Sequence, residues 1–165
     1  MILSKIYKNT LLILAACLVL TACATKKEVA TTPQIEGQMQ SDVYTGDDTV
    51  KYLADGVPDR VFFATNETIL TTASRETLRA QAAWLRQNSS INVVLEGHAD
   101  ERGTREYNLA LGDKRAFAVY SYLAQAGVDT NRMEYISWGK ERPEVVGSDE
   151  TAYSQNRRSV TIVTN

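Results

Sequence analysis

Histidine occurs once in this chain, at position 98, and cysteine twice, at positions 17 and 23. With no second imidazole and no thiolate beyond residue 23, His98, Asp100 and Glu101 make a poor zinc set, and no metal is expected. No disulfide can staple the body of the chain, so a folded domain must rest on its own core. A Gly-x-Ser-x-Gly nucleophile turn is missing, and Ser121 falls within a helical pattern. Gly97 and Gly103 lack the Lys-Ser/Thr that completes a phosphate-binding loop. Catalysis therefore has no obvious residues, and no cofactor is implied. Basic excess is absent too: 18 Lys and Arg stand against 20 Asp and Glu, which argues against a nucleic-acid-binding face. The longest apolar run, Leu11 to Leu20, is shorter than the roughly 20 residues a spanning helix needs.

That run has the length of a secretory leader, preceded by Lys5 and Lys8. It ends in Leu20-Thr21-Ala22-Cys23, a lipobox-like stretch, which predicts a leader over residues 1–22 and lipidation at Cys23. Leu14-Ala15-Ala16-Cys17 is a second candidate, disfavoured because it would leave Leu18-Val19-Leu20 in the mature tail. The plain alternative is an ordinary signal segment. A diacyl chain plus an N-acyl chain would anchor the protein far more firmly than one chain can. Residues 23–54 are rich in Thr, Gln, Asp, Glu and Gly without sustained periodicity, and read as a lipidated N-terminus and flexible tether.

From residue 55 to 165 the pattern predicts one domain. Arg60 to Ala64 reads as a strand. Thr71 or Thr72 caps a helix of about 16 residues, with Leu78, Ala82 and Leu85 on one face, stopped at Asn88. Ile91 to Glu96 is a β-branched strand, ended by Gly97. Thr104 caps a long helix to about Ala126, with Tyr107, Leu111, Val119 and Leu123 on its apolar side and Gly127 at its C-terminus. Met133 to Trp138 and Ser159 to Val163 are two further strands, with a loop at Gly139–Pro143. The expected class is α+β, a two-layer β-α-β-α-β-β sandwich with helices on one face of a mixed sheet.

The stretch "EGHADERGTREYNLALGDKR", Glu96 to Arg115, gathers nine charged residues and the single histidine. His98 fits a strand-end histidine bonded to backbone better than a ligand. Arg115 lies four residues from both Leu111 and Val119, beside the core-facing stripe, and a buried guanidinium there needs a partner. Two readings stand side by side. Asp100 and Arg115 could receive the ammonium and carboxylate of a zwitterionic ligand, or they could simply pair with each other.

"GHADERGTREYNLALGDKRAFAVYSYL", together with "NRRSVTIV" at the end, resembles the peptidoglycan-binding motif of OmpA-like domains, over about Asp59 to Val163. The resemblance implies a non-enzymatic domain that binds the meso-diaminopimelate stem peptide of peptidoglycan. Asp100 would take the ammonium and Arg115 the carboxylate. Arg102, Asn108 and Leu111 would line the cleft, and Phe63, Ala64 and Thr65 would form its other wall. Asn108 fits the tying-down of the Asp100 loop better than ligand contact, and Arg157 a supporting position. The first strand departs from the family by carrying Phe62-Phe63-Ala64-Thr65-Asn66 without its usual carboxylates. Gly112, where many relatives have serine, costs about 1 kcal/mol in a helix relative to alanine and points to close backbone approach. "ADERGT", "ALGDKRA", the lipobox and the tether resemble the family's lipoprotein branch. That branch implies an outer-membrane anchor, a domain facing the periplasm, TolB and other Tol proteins as partners, and roles in envelope integrity and division. The alternatives are an OmpA-like lipoprotein outside the Tol system, or a periplasmic hydrolase using His98 and Asp100.

Overall fold

The structure, a computed structural model, describes residues 42–46 and 51–164. The leader, Cys17, Cys23 and most of the tether lie outside the described residues. Among the described residues, six strands and three helices run in the order β1 (Tyr52–Ala54), β2 (Val57–Pro58), β3 (Arg60–Phe62), α1 (Thr72–Gln87), β4 (Val93–His98), α2 (Arg105–Gln125), β5 (Met133–Gly139), α3 (Glu150–Asn156) and β6 (Arg158–Val163). The last four-stranded group forms a mixed sheet in the order β3-β6-β4-β5. β6 lies antiparallel between β3 and β4, while β4 and β5 run parallel, as their connection through α2 requires.

Local chemistry sets the helix ends. The Thr71 side chain accepts the Ser74 N–H at the start of α1, and Thr104 does the same for Tyr107 in α2. Asn88 closes α1, and Gly127, at φ +87°, turns the chain after α2. Val61, Phe63, Val93, Leu95 and Met133 from the sheet side pack against Leu78, Ala82 and Leu85 of α1 and Val119 and Leu123 of α2. Tyr107 does not join them; it is exposed on the first turn of α2.

Four expectations are corrected. Gly97 lies inside β4 rather than ending it. The tether is not structureless to residue 54, because Tyr52–Ala54 pairs with Val57–Pro58 around Gly56, at φ +69°, and residues 42–46 touch the domain. The β-α-β-α-β-β order lacks a helix: residues 150–156, just before β6, form α3, with Asp149 as its N-cap. It buries Ala152, Ser154, Gln155 and Asn156, so no apolar stripe marks it. His98 is 1% exposed, but neither ring nitrogen makes the backbone hydrogen bond foreseen for it.

His98 sits on the sheet face opposite the helices, among Arg60, Glu96 and Arg158. Glu144 bridges Arg60 at 3.1 Å and Arg158 at 3.4 Å. The β5–α3 connection roofs this cluster: the Asn156 Oδ1 accepts the Glu144 and Val145 N–H groups, and Arg158 donates to the Arg142 carbonyl. Burial, with Arg158 next, pushes the imidazole down to about 3, against an opposing contribution from the nearby Arg142 backbone. The ring is therefore neutral, and the Glu96 carboxylate 3.6 Å away is not a true ion-pair partner.

Candidate functional site

The two central residues of the charged stretch are placed by a close contact between β4 and α2. A Cβ on Gly97 would collide with the Gly112 carbonyl oxygen, and one on Gly112 would lie 2.7 Å from the Gly97 oxygen. The glycine at 112 is there because strand and helix backbones touch, as its helix-weakening presence implied. Beyond this contact, Asp100 follows the end of β4 and Arg115 occupies the next turn of α2.

Arg115 is fully buried, 0% exposed. Its Nε donates to the Glu67 carbonyl at 3.0 Å, Nη1 to His98 at 2.8 Å and Nη2 to Ala64 at 3.0 Å. Three of its five N–H groups are thus taken by backbone, leaving one on each terminal nitrogen. Its guanidinium also stands 5.3 Å from the Phe63 ring centroid. Among the described residues no carboxylate comes within ion-pair distance of it. Burial first, then repulsion from Arg157, pushes it down to about 10, with Asp100 opposing. It remains a cation at neutral pH.

Asp100 is 7% exposed and pairs elsewhere. Its Oδ1 accepts the Arg102 N–H and Nε, both at 3.1 Å, and its Oδ2 accepts Arg102 Nη2 at 2.6 Å and Arg157 Nη1 at 3.5 Å. Burial alone would raise its carboxyl, but the Arg102 bonds and the Arg102 and Arg157 charges outweigh burial and hold it below the usual value. The simple Asp100–Arg115 bridge is therefore not formed. Arg102 is exposed, lies 4.4 Å over the Tyr153 ring and reaches Thr65 Oγ1 at 3.3 Å.

The first-strand wall acts through its backbone. Phe63 is buried in the core, and its carbonyl accepts Arg157 Nε at 3.1 Å. The Ala64 carbonyl binds Arg115, and Thr65 presents its N–H outward to Asp42 at 2.6 Å. Asn108 is buried and donates to the Arg102 carbonyl at 2.8 Å, so it ties the loop rather than facing the cleft. Leu111 is buried and offers little surface.

Three contributors escaped the sequence analysis. Tyr153 and Glu150 come with α3: Tyr153 donates to Glu101 at 2.9 Å, and Glu150 accepts Arg157 Nη2 at 2.6 Å. Asp149 three residues before Ala152 was a capping signal for that helix. Asp42, whose backbone carbonyl also accepts from Arg157, had no local signal. Arg157, only 1% exposed, joins Asp100, Phe63, Asp42 and Glu150.

The arrangement concentrates buried cationic charge beside one nearly buried carboxylate, with the exposed Arg102 and the half-buried Tyr153 at the mouth. It can bind and orient small charged groups. The neutral His98 lies under its roof on the other sheet face, out of reach of solvent.

Comparison with known proteins agrees with this architecture. The model of the OmpA family matches residues 62–157. A peptidoglycan-associated lipoprotein of Agrobacterium fabrum is 41% identical over 160 residues, covering 96% of this chain and 90% of that protein. One from Brucella melitensis is 50% identical over 107 residues, covering 65% of this chain and 64% of that relative's length. Among solved structures, the peptidoglycan-associated lipoprotein of Burkholderia pseudomallei superposes with a TM-score of 0.63 at 38% identity, over 64% of this chain and 90% of the other. The C-terminal domain of Helicobacter pylori MotB gives 0.61 at 17% identity, over 65% of this chain and 84% of the other, a likeness of fold alone. With a family match over more than half of its length, and a relative this similar along nearly all of it, the chain belongs to the OmpA family.

Proposed function

We propose that this chain binds peptidoglycan non-covalently, through the diaminopimelate of an uncrosslinked or singly linked stem peptide, and performs no chemistry on it. The observation that carries this is the Arg115 guanidinium: buried, charged, without a carboxylate partner among the described residues, and with one N–H on each terminal nitrogen not used by the backbone carbonyls. A ligand carboxylate would complete its coordination, since a fork of two N–H groups suits that shape. Asp100 would receive the ligand ammonium once the exposed Arg102 swings aside. The names of the relatives support the same assignment. Burial of His98 counts against a hydrolase built on that residue.

Lipid at Cys23 would hold the chain in the outer membrane with the domain facing the periplasm. TolB and other Tol proteins would be its further partners, in envelope integrity and cell division.

The test is calorimetric titration of the full chain in detergent with a diaminopimelate stem peptide and with the same peptide carrying lysine. Lysine keeps the side-chain ammonium and lacks the extra carboxylate. Binding to the first, and at least tenfold weaker binding to the second, is expected. Binding to neither would overturn the wall-binding reading, and equal binding to both would remove the carboxylate from it.

A further inference from the structure

Of the cleft's three arginines, Arg102 and Arg157 pair with two carboxylates from the domain itself, Asp100 and Glu150, while Arg115 pairs with none among the described residues. One positive charge is left over in a largely buried place, where an uncompensated charge is costly. Asp42, from the segment upstream of β1, supplies the missing anion. Its Oδ2 accepts the Thr65 N–H at 2.6 Å and stands 3.9 Å from Arg157 Nη2, to which its own carbonyl also bonds. Its charge is felt at Arg115 as well. A separate apolar contact seats the segment: the Tyr44 ring meets Phe62 edge-on, with centroids 4.8 Å apart. Asp42 itself is only half-buried, so it can leave without opening the core.

An outward N–H beside a guanidinium is the donor pair a carboxylate takes. We propose that Asp42 is an intramolecular stand-in for a ligand carboxylate, occupying the Thr65–Arg157 position of the cleft until a carboxylate from outside displaces it. The inference rests on the wall-binding reading above, and names the carboxylate class of ligand and the element of this chain that competes with it. A tethered competitor acts at an effective concentration in the millimolar range. Free small carboxylates therefore compete poorly. A stem peptide, which adds an ammonium at Asp100 and further contacts, displaces the segment.

The experiment compares the full-length wild type with Asp42→Asn and Asp42→Ala in detergent, titrated with the diaminopimelate stem peptide. If the segment fills the position about 80–90% of the time, freeing it tightens apparent binding about five- to tenfold. The Thr65 amide proton, followed by NMR in labelled protein, should move upfield in Asp42→Asn and return downfield when peptide is added. Tighter binding with that reversal establishes the competitor. Peptide binding by the wild type with equal or weaker binding by both Asp42 variants overturns the stand-in and leaves the wall-binding reading intact. Binding by none of the three proteins overturns both.

Discussion

A single buried imidazole should make the stability of this domain depend on pH where its carboxylates are silent. His98 is 1% exposed, has no hydrogen bond at either ring nitrogen, and faces Arg60, Arg142 and Arg158 as well as Glu96. Its folded-state value falls from an ordinary 6.5 to about 3. Below pH 6.5 the unfolded chain takes up a proton that the folded chain refuses, so stability falls as pH falls, until about pH 3. Each pH unit well inside that window removes about 1.4 kcal/mol. Allowing for partial titration near 6.5, the loss between pH 7 and pH 5 is about 2 kcal/mol. Urea unfolding of untagged protein at the two pH values should show that loss, and His98→Phe, which cannot titrate, should lose most of it. The chain's only histidine also gives a single set of imidazole signals in NMR. Those signals should stay at the neutral position down to pH 5 in the folded protein. A folded-state midpoint near 6.5, or the same pH slope in wild type and His98→Phe, would refute the reasoning.

Five further outcomes are expected. Gly97→Ala should destabilise the domain by more than about 3 kcal/mol, because the new methyl meets backbone rather than a movable side chain. Gly112→Ala should also lower the melting temperature, against the helix propensity that favours alanine by about 1 kcal/mol. Arg115→Lys should cost about 2 kcal/mol or more in urea unfolding, since one ammonium cannot satisfy carbonyls of Ala64, Glu67 and His98 together. Asp100→Asn should weaken stem-peptide binding in calorimetry by about 2 kcal/mol or more. Asp42 and Asp100, both held below their ordinary 3.8, contribute stability that is present above about pH 4 and lost as pH falls further. A second acid-side decline, absent from the Asp42→Asn, Asp100→Asn double variant, should separate their share from that of His98.

Features set by neighbours in sequence were legible. Thr71, Thr104 and Gly127 act on N–H and C=O groups within four positions, so their capping roles could be read directly. The four-stranded sheet followed from its apolar runs, and Gly112 from its misfit in a helix. Arg115 was legible as a buried cation but not in its partners, which lie 17 to 51 positions away. No spacing rule distinguishes a guanidinium tied to carbonyls from one waiting for a carboxylate. The short helix α3 was hidden because it buries polar side chains through hydrogen bonds, leaving no apolar period to find. The β1–β2 hairpin was marked only by Asp55-Gly56, a turn dipeptide too common to stand alone. Asp42 was illegible because its partners, Thr65 and Arg157, are distant in sequence and its own surroundings are featureless.

The interval from Gly97 to Gly112 is the same as that from Asp100 to Arg115. Each charged residue stands three positions beyond its glycine, and the glycines touch. Strand and helix therefore share one zero point, from which both arms of the cleft are measured. An inserted or deleted residue between positions 100 and 112 would carry Arg115 around the helix and off the carbonyls of Ala64, Glu67 and His98, even if the loop closed without strain. Changes of length should be excluded from this segment and accepted more readily in the β5–α3 connection. The loop owes its fixed length to the alignment of two chain segments rather than to any contact it makes itself.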